Sequence, residues 1–293
     1  MKFGTLYSYW SKDWDCDRDG YAKLIERVSR IGFDVLEVSA DHIYKMPEND
    51  LKILNAIRKD HGVGITVNSG PSKEHDLAST DGKTRAAGIE YFDVIMNKMV
   101  LLETSSLAGA IYSFWPSDFL TTDKEGAWDR SIGSLKAVAK TAEALGITVS
   151  LEVLNRNETY ILNTCEEAID YCQKIGSRSM KLLLDTYHMN IEEDDVADAI
   201  RAAGSWLGHF HVGECNRRLP GANNSIDWKG VGAALNAITY DQAVVMEPFT
   251  INGGSVGSSI RLWRDLSGGA DGAGMDRQIS DSLSFLRGAF AQG

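Results

Sequence analysis

In the segment Lys181-Leu-Leu-Leu-Asp185-Thr-Tyr-His188-Met-Asn190, three consecutive leucines are followed abruptly by polar residues. A short apolar run of this kind is typical of a strand buried on both faces of a parallel sheet. We expect the strand to end at Asp185, where a loop begins and brings a carboxylate close to the imidazole of His188. In parallel α/β proteins the loops at the carboxyl ends of the strands carry function. The alternative is that Asp185 only caps the next turn.

Apolar runs and segments with helical spacing alternate along the whole chain. The strands are predicted at 1–7, 33–39, 65–67, 107–113, 147–154, 180–185, 207–212 and 242–247, and the helices at 21–31, 51–57, 83–102, 128–145, 165–175, 196–203, 231–238 and 279–290. The glycine-rich segments 253–257 and 268–274 are predicted to be loops. This pattern predicts an α/β fold, a closed (β/α)8 TIM barrel, with residues 1–293 as a single domain. The alternative, a Rossmann-like sheet, is disfavoured because no Gly-x-Gly-x-x-Gly follows the first strand.

Composition narrows the class of protein. Hydrophobic residues make up 43% of the 293 residues, yet no apolar run approaches the roughly 20 residues that cross a membrane. The 30 basic and 41 acidic residues give a net charge of −11, which disfavours nucleic-acid binding. The four cysteines show no Cys-x-x-Cys spacing and are expected to be free thiols. The chain starts with a predicted strand and not with a secretion signal, so we expect a cytoplasmic protein.

Each of the last four predicted strands carries one metal-competent side chain near its carboxyl end. These ends converge in a parallel barrel, so the side chains should meet at one point. Three carboxylates and one imidazole suit Mn²⁺, Mg²⁺ or Co²⁺ better than tetrahedral Zn²⁺, and they leave two positions open for substrate oxygens. The predicted ligands are Glu152, Asp185, His211 and Glu247.

Each of these residues also has a purely structural interpretation. Glu152 and Glu247 lie in apolar strands, where an unpaired carboxylate costs several kcal/mol, so a cation or another partner is required. His209 and His211 share one strand face, and one of them is expected to be a hydrogen-bonded core histidine. We expect His211, nearer the strand end, to be the ligand.

Several stretches together resemble the D-psicose (D-allulose) 3-epimerase and D-tagatose 3-epimerase family of ketose 3-epimerases, which are xylose isomerase-like barrels. They span nearly the whole chain. The matching stretches include Tyr7-Ser-Tyr-Trp10, Gly32-Phe-Asp-Val-Leu-Glu-Val38, Glu152-Val-Leu-Asn-Arg156, Leu184-Asp-Thr-Tyr-His-Met-Asn190, Gly208-His-Phe-His-Val-Gly-Glu-Cys-Asn-Arg217 and Met246-Glu-Pro-Phe249.

The resemblance implies one Mn²⁺ or Co²⁺ per subunit, bound by the four predicted ligands, and a homodimer or homotetramer. It also implies that Glu152 and Glu247 are the acid/base pair, and that Glu158, His188 and Arg217 hold the O1 to O3 end of a sugar. The residues that it implies for the rest of the pocket are Ala110, Trp14, Trp115 and Phe249.

Inversion at C3 of a ketose requires that a proton next to the C2 carbonyl is removed from one face and returned to the other. Two carboxylates on opposite walls suit this task, and a cation chelated by O2 and O3 would stabilise the enediolate. With the family resemblance, which supplies the substrate, the expected reaction is the interconversion of D-fructose and D-psicose, or of related small-molecule ketoses.

Departures from the family pattern bear on the preferred ketose. Leu6 replaces a tyrosine of many relatives, Ala108 a glycine, and Asn157 a phenylalanine, while residues 220–228 lack a familiar second Gly and Pro. An aldose–ketose isomerase remains an alternative, although Lys181 lies at the start of its predicted strand, away from the mouth, and no lysine is expected at the mouth. An abasic-site endonuclease is disfavoured by the acidic charge and the six histidines, and a non-catalytic sugar- or metal-binding barrel is the third alternative.

Overall fold

A computed structural model of the chain describes residues 1–291 and shows a closed barrel of eight parallel strands that pair in sequence order. The barrel closes where the eighth strand pairs with the first, with Val244 opposite Phe3. The predicted (β/α)8 fold is confirmed. Because the strands are parallel, all eight carboxyl ends open at the same mouth.

The strands are short, as is usual in such barrels. They are β1 (Lys2–Leu6), β2 (Val35–Ser39), β3 (Gly64–Ser69), β4 (Ser106–Gly109), β5 (Thr148–Glu152), β6 (Met180–Asp185), β7 (Leu207–Val212) and β8 (Ala243–Met246). The helices are α1 (Arg18–Ile31), α2 (Ala40–Lys45), α3 (Glu48–Asp60), α4 (Gly82–Leu101), α5 (Lys124–Leu145), α6 (Cys165–Ile175), α7 (Thr186–Glu192), α8 (Val196–Ala203), α9 (Trp228–Ala237), α10 (Gly254–Ser259) and α11 (Gly272–Ala291).

Local sequence signals set the ends of the outer helices. The Asp17 side chain accepts a hydrogen bond from Gly20 N at 2.8 Å and caps the start of α1, while Gly32 ends that helix with φ +100°. The helix buries Tyr21, Ile25 and Val28 against the barrel. Among the described residues, no helix combines the length and apolar composition that a membrane span needs.

Three predictions of loops were wrong or incomplete. The segment after Asp185 is the short helix α7, and residues 254–257 belong to α10, while α11 already begins at Gly272. The helix α2 was not predicted. Each of the short helices α2, α7 and α10 has at most seven residues, which is too few for an apolar period to stand out.

Asp185 both caps a helix and lies in the barrel mouth, the two alternatives considered for it. Its Oδ1 atom accepts a hydrogen bond from Tyr187 N at 2.9 Å and so caps α7, while Oδ2 lies 3.1 Å from Arg217 Nη1 in the barrel mouth. The cap fixes the carboxylate in one orientation.

The glycine that β4 requires is Gly109 and not residue 108. Ala108 is fully buried in a regular strand between Asn68 and Ser150. Gly109 has φ +118°, and a Cβ there would lie 2.2 Å from the carbonyl oxygen of Ser69. The strand therefore accepts alanine at 108.

Candidate active site

The structure brings the four predicted ligands together at the barrel mouth. Glu152 ends β5, Asp185 ends β6, His211 lies in β7 and Glu247 directly follows β8. One donor atom from each of these four side chains lies within 4.8 Å of the donor atoms of the others. His211 Nδ1 is 3.7 Å from Glu152 Oε1 and also 3.7 Å from Glu247 Oε2.

His211 is oriented as a ligand would be. Its Nε2 atom lies 2.8 Å from Glu37 Oε1 on the side away from the cluster. Its Nδ1 atom is buried and has no hydrogen-bond partner within residues 1–291. A buried nitrogen of this kind is costly unless something binds it. The donor set consists of hard carboxylate oxygens and one imidazole nitrogen, and it suits a divalent cation bound between the three carboxylates and Nδ1.

Glu37 is a central residue that the sequence reasoning missed. It is fully buried in β2, and its Oε2 atom accepts a hydrogen bond from Thr66 Oγ1 at 2.8 Å and lies 2.8 Å from His209 Nε2. Burial alone would raise the pKa of Glu37, but His211 and His209 outweigh it and hold that pKa well below its ordinary value. The sequence did contain a signal for Glu37, because this residue is a carboxylate inside an apolar strand. The same feature indicated Glu152.

The two histidines of β7 thus have different surroundings. His209 contacts Glu37 but is not one of the four clustered side chains, whereas His211 links Glu37 to them. A carboxylate that holds the far nitrogen of a metal-binding imidazole fixes both its tautomer and its orientation.

The surroundings of the two clustered glutamates shift their pKa values in opposite directions. Burial raises the pKa of Glu152 to about 7, with the nearby His211 opposing the shift and Glu247 adding to it. Burial would also raise the pKa of Glu247, but His211 and Arg217 outweigh it and leave that pKa below its ordinary value. Paired titratable groups whose environments push their pKa values apart suit acid/base chemistry.

Arg217 is held in place by its backbone and by an aromatic ring. Its φ is +64°, a conformation that L residues rarely adopt. Its N–H donates to Glu214 O and its carbonyl accepts from Phe249 N, both at 2.9 Å, while its guanidinium lies 3.7 Å from the centre of the Tyr187 ring. Glu214 is itself fully buried and anchors the following loop through the backbone N–H groups of Gly221 and Ser225.

The guanidinium of Arg217 neutralises much of the negative charge in the cluster. Nη1 lies 2.8 Å from Glu247 Oε2 and 3.1 Å from Asp185 Oδ2, and Nη2 lies 3.4 Å from Glu158 Oε1. Three clustered carboxylates and one guanidinium leave a surplus of negative charge, which a divalent cation would balance.

His188 has one defined tautomer. Its Nδ1 atom accepts hydrogen bonds from Asn155 N at 3.0 Å and from Asn155 Nδ2 at 2.8 Å, so the proton of the neutral ring lies on Nε2. Burial and the nearby Arg217 keep the pKa of His188 well below its ordinary value. Nε2–H lies 3.7 Å from Asp185 Oδ2 and is a fixed donor next to the cluster.

Aromatic side chains form one wall of the site. Trp115 Nε1 donates to Glu158 Oε2 at 2.8 Å, and the Trp14 ring meets Trp115 and Phe249 edge-on at centroid distances of 6.4 and 5.8 Å. This arrangement ties Glu158, on the loop after β5, to an apolar surface on which the carbon chain of a sugar can pack.

These groups line a cavity of about 550 Å³. Of the predicted site residues, Asp185 and His211 are buried and do not line the cavity. The others line it: Leu6, Trp14, Ala110, Trp115, Glu152, Glu158, His188, Arg217, Glu247 and Phe249. The expectation that no lysine stands at the mouth was wrong, because Lys45 of α2 lines the cavity and pairs with Asp41 at 2.5 Å. Lys181 lies at the other end of β6, where Nζ donates to Ser205 O at 2.8 Å.

Known proteins share both the sequence and the fold of this chain. The family model of the xylose isomerase-like TIM barrel matches residues 25–266. A D-psicose 3-epimerase of Ruminiclostridium cellulolyticum is 43% identical over 288 residues, which cover 98% of this chain and 97% of that protein. An L-ribulose 3-epimerase of Mesorhizobium japonicum is 35% identical over 242 residues, which cover 80% of this chain and 78% of that protein.

A solved structure extends the similarity to three dimensions. The crystal structure of a D-psicose 3-epimerase in the presence of D-fructose superposes with a TM-score of 0.96 at 42% identity, and the match covers 100% of both chains.

Proposed function

The chain belongs to the D-psicose 3-epimerase family of ketose 3-epimerases, within the xylose isomerase-like TIM barrels, and on this premise we propose that it interconverts D-fructose and D-psicose. It is a carbohydrate epimerase of the isomerase class. Two relatives of 43% identity are named D-psicose 3-epimerases, and inversion of D-psicose at C3 gives D-fructose.

The observation that carries the proposal is the placement of two glutamates around one point. Glu152 and Glu247 come from β5 and from the end of β8, and each has a carboxylate oxygen 3.7 Å from His211 Nδ1. A ketose bound between them would expose one face of C3 to each. One carboxylate removes the C3 proton, the C2 carbonyl takes up the electron pair, and the other carboxyl group returns a proton to the opposite face.

A divalent cation would be held by Glu152, Asp185, His211 and Glu247, and when bound it supplies positive charge that stabilises negative charge developing on the substrate oxygens. Mn²⁺ or Co²⁺ is the expected ion.

Two fixed donors would complete the site. His188 presents Nε2–H, because Asn155 occupies its Nδ1 atom. Arg217 presents a guanidinium that already contacts Glu158 and Glu247. Donors that are in place before the reaction lower the barrier more than donors that must reorganise. Trp14, Trp115 and Phe249 exclude water from the apolar side of the sugar.

The test is carbon and proton NMR of D-fructose in D₂O with purified protein and Mn²⁺. We expect D-psicose to form and deuterium to enter at C3. Deuterium at C1 with formation of an aldose would identify an aldose–ketose isomerase on the same barrel. The absence of exchange at both carbons, with the ion bound, would indicate a sugar-binding barrel.

A further inference from the structure

The cavity extends well beyond the four clustered side chains. Its other end, here called the distal lobe, is formed by side chains at the ends of β2 and β3 and on the segments that follow them: Ser39, His42, Lys45, Asn68, Glu74 and His75. A volume of about 550 Å³ is within the range of pockets that hold ligands of more than one ring. The lobe is not needed for the proton transfer proposed above.

The order of the strands sets the direction in which a substrate extends. The donors proposed for the O1 to O3 end, His188 and Arg217, follow β6 and β7. In the closed barrel, β2 and β3 lie across the mouth from β6 and β7. A ketose held at its C1 end by these donors therefore directs its last carbons past Leu6, the last residue of β1, and into the distal lobe.

His42 has a hydrogen-bond donor that is set by the core behind it. The hydroxyl of the buried Tyr21 accepts from Ser39 N at 3.1 Å and lies 2.7 Å from His42 Nδ1. The hydroxyl oxygen accepts the backbone N–H, and its own proton can be donated to Nδ1. The proton of the neutral His42 ring then lies on Nε2, at the opposite corner of a ring that lines the cavity.

Aromatic rings form a second surface within the lobe. His75 and Tyr91 are stacked with centroids 4.1 Å apart and an interplanar angle of 10°, and Tyr44 packs against Tyr91 at 4.8 Å. All three residues line the cavity. Aromatic surfaces next to a few fixed polar groups are typical of sites for small neutral ligands.

The charge of the lobe argues against a phosphorylated substrate. Asp15, Asp41 and Glu74 line this end of the cavity with Lys45, so carboxylates outnumber the ammonium group, which is already paired with Asp41. Carboxylates repel phosphate but accept hydrogen bonds from hydroxyl groups. The matching ligand is neutral and rich in hydroxyls.

We propose that the distal lobe is a subsite for a second sugar ring, and that the enzyme epimerises C3 of ketoses whose far end carries a glycosyl group, with His42 Nε2–H as the donor that binds this ring. The inference rests on the proposed C3-epimerase function. The reaction itself is unchanged, because no bond to the second sugar is made or broken.

The experiment compares D-fructose with a fructose that carries a glucosyl group on O6. Each is incubated with the Mn²⁺-loaded protein in D₂O, and deuterium at C3 of the ketose is followed by NMR. We expect exchange on both, with kcat/KM for the glucosylated ketose within a few fold of that for fructose or above it. Exchange on fructose alone would overturn the subsite and leave the epimerase function intact. Exchange on neither would overturn both.

Two variants test the residues of the lobe. The substitution His42→Phe keeps an aromatic ring but removes the donor, and we expect it to lower kcat/KM for the glucosylated ketose about tenfold more than for fructose. The substitution Ser72→Trp places a large side chain at the exposed edge of the lobe and should abolish turnover of the glucosylated ketose selectively. The matched control is His61→Phe on the exposed end of α3. Equal effects on both ketoses would contradict the proposal.

Discussion

The two halves of the barrel mouth differ in the residues at or beside the ends of their strands, which are mostly charged for β5 to β8 (the charged half) and neutral for β1 to β4 (the neutral half). Strands β5 to β8 bring Glu152, Asp185, His211 and Glu247 together in one cluster, all of them buried. Strands β1 to β4 end instead in neutral residues, which are Leu6, Ser39, Ser69 and Gly109. On the proposed function, the charged half carries out the proton transfer, and the neutral half binds the rest of the substrate.

The charged half is stable because each buried carboxylate has a partner of opposite charge or a hydrogen-bond donor. Arg217 contacts Asp185, Glu158 and Glu247, and His211 contacts Glu152 and Glu247. Buried charges without such partners would destabilise the fold by several kcal/mol each. Glu37 is the exception in the neutral half, and its carboxylate faces His209 and His211 inside the barrel and not the cavity.

The largest loss of activity is expected from substitution of the two glutamates that flank His211. The single substitutions Glu152→Gln and Glu247→Gln keep the size of each side chain but remove its ability to take up and return a proton. We expect each to lower the rate of C3 exchange by at least on the order of 10²–10⁴. The measurement is deuterium uptake at C3 under saturating Mn²⁺, so that weaker ion binding does not mask the effect.

The matched control for these variants is Glu166→Gln, on the exposed first turn of α6. It should retain the rate of the unmodified protein. If either Glu152→Gln or Glu247→Gln retained more than a tenth of that rate, the acid/base assignment of that residue would be wrong.

The next largest effect is expected from substitution of Glu37. This residue lies in β2, in the neutral half, but its carboxylate contacts histidines of β7, in the charged half. The substitution Glu37→Gln removes the negative charge that fixes His211 through Nε2. We expect the affinity for Mn²⁺ to fall roughly 10- to 100-fold, as is usual when the carboxylate behind a metal-binding histidine is removed. Calorimetric titration of the protein with Mn²⁺ measures this directly.

Thr66→Val provides a control on the same carboxylate. It removes the third partner of Glu37 and leaves both histidine contacts. We expect a much smaller change in affinity. An unchanged affinity in Glu37→Gln would show that His211 is oriented by packing alone.

Much of the charged half could be predicted from the sequence, because a polar residue at the end of an apolar run is visible without a structure. Asp185 and His211 were found in this way, and the barrel order then predicted that they would meet. The barrel itself followed from the alternation of apolar runs and helical spacing, which the structure confirms. The roles of these residues as ligands remain predictions.

The parts of the site that could not be predicted from the sequence depend on contacts between residues that are distant in the chain. Glu37 and His211 are 174 positions apart, and nothing local to either residue indicates that they touch. The hydrogen bond between His42 Nδ1 and the Tyr21 hydroxyl likewise joins residues 21 positions apart. Arg217 adopts a positive φ because Glu214 and Phe249 bind its backbone, and a non-glycine residue gives no sequence signal of this conformation.

A smaller effect is expected from a single polar residue of the neutral half. Asn68 lines the cavity, and its Nδ2 atom has no hydrogen-bond partner among the residues that the structure describes. The substitution Asn68→Ala removes at most one hydrogen bond to the substrate, so kcat/KM for fructose should fall less than roughly tenfold, mainly through KM. Initial rates over a range of fructose concentrations separate KM from kcat. A hundredfold loss in kcat would show that the neutral half takes part in the chemistry.

The smallest effect is expected from a charge that lies in the charged half but faces solvent. Arg156 follows β5, and its Nη2 atom pairs with Glu192 Oε2 at 2.8 Å, yet 69% of its side chain is exposed. Water screens such a pair, so Arg156→Ala should change kcat/KM less than about fivefold, whereas Arg217 in the same half is buried among three carboxylates. Initial rates at low and at high salt provide the measurement. If Arg156→Ala lost as much activity as Glu37→Gln, burial would not separate the reactive charges from the structural ones, and the contrast between the two halves would need another explanation.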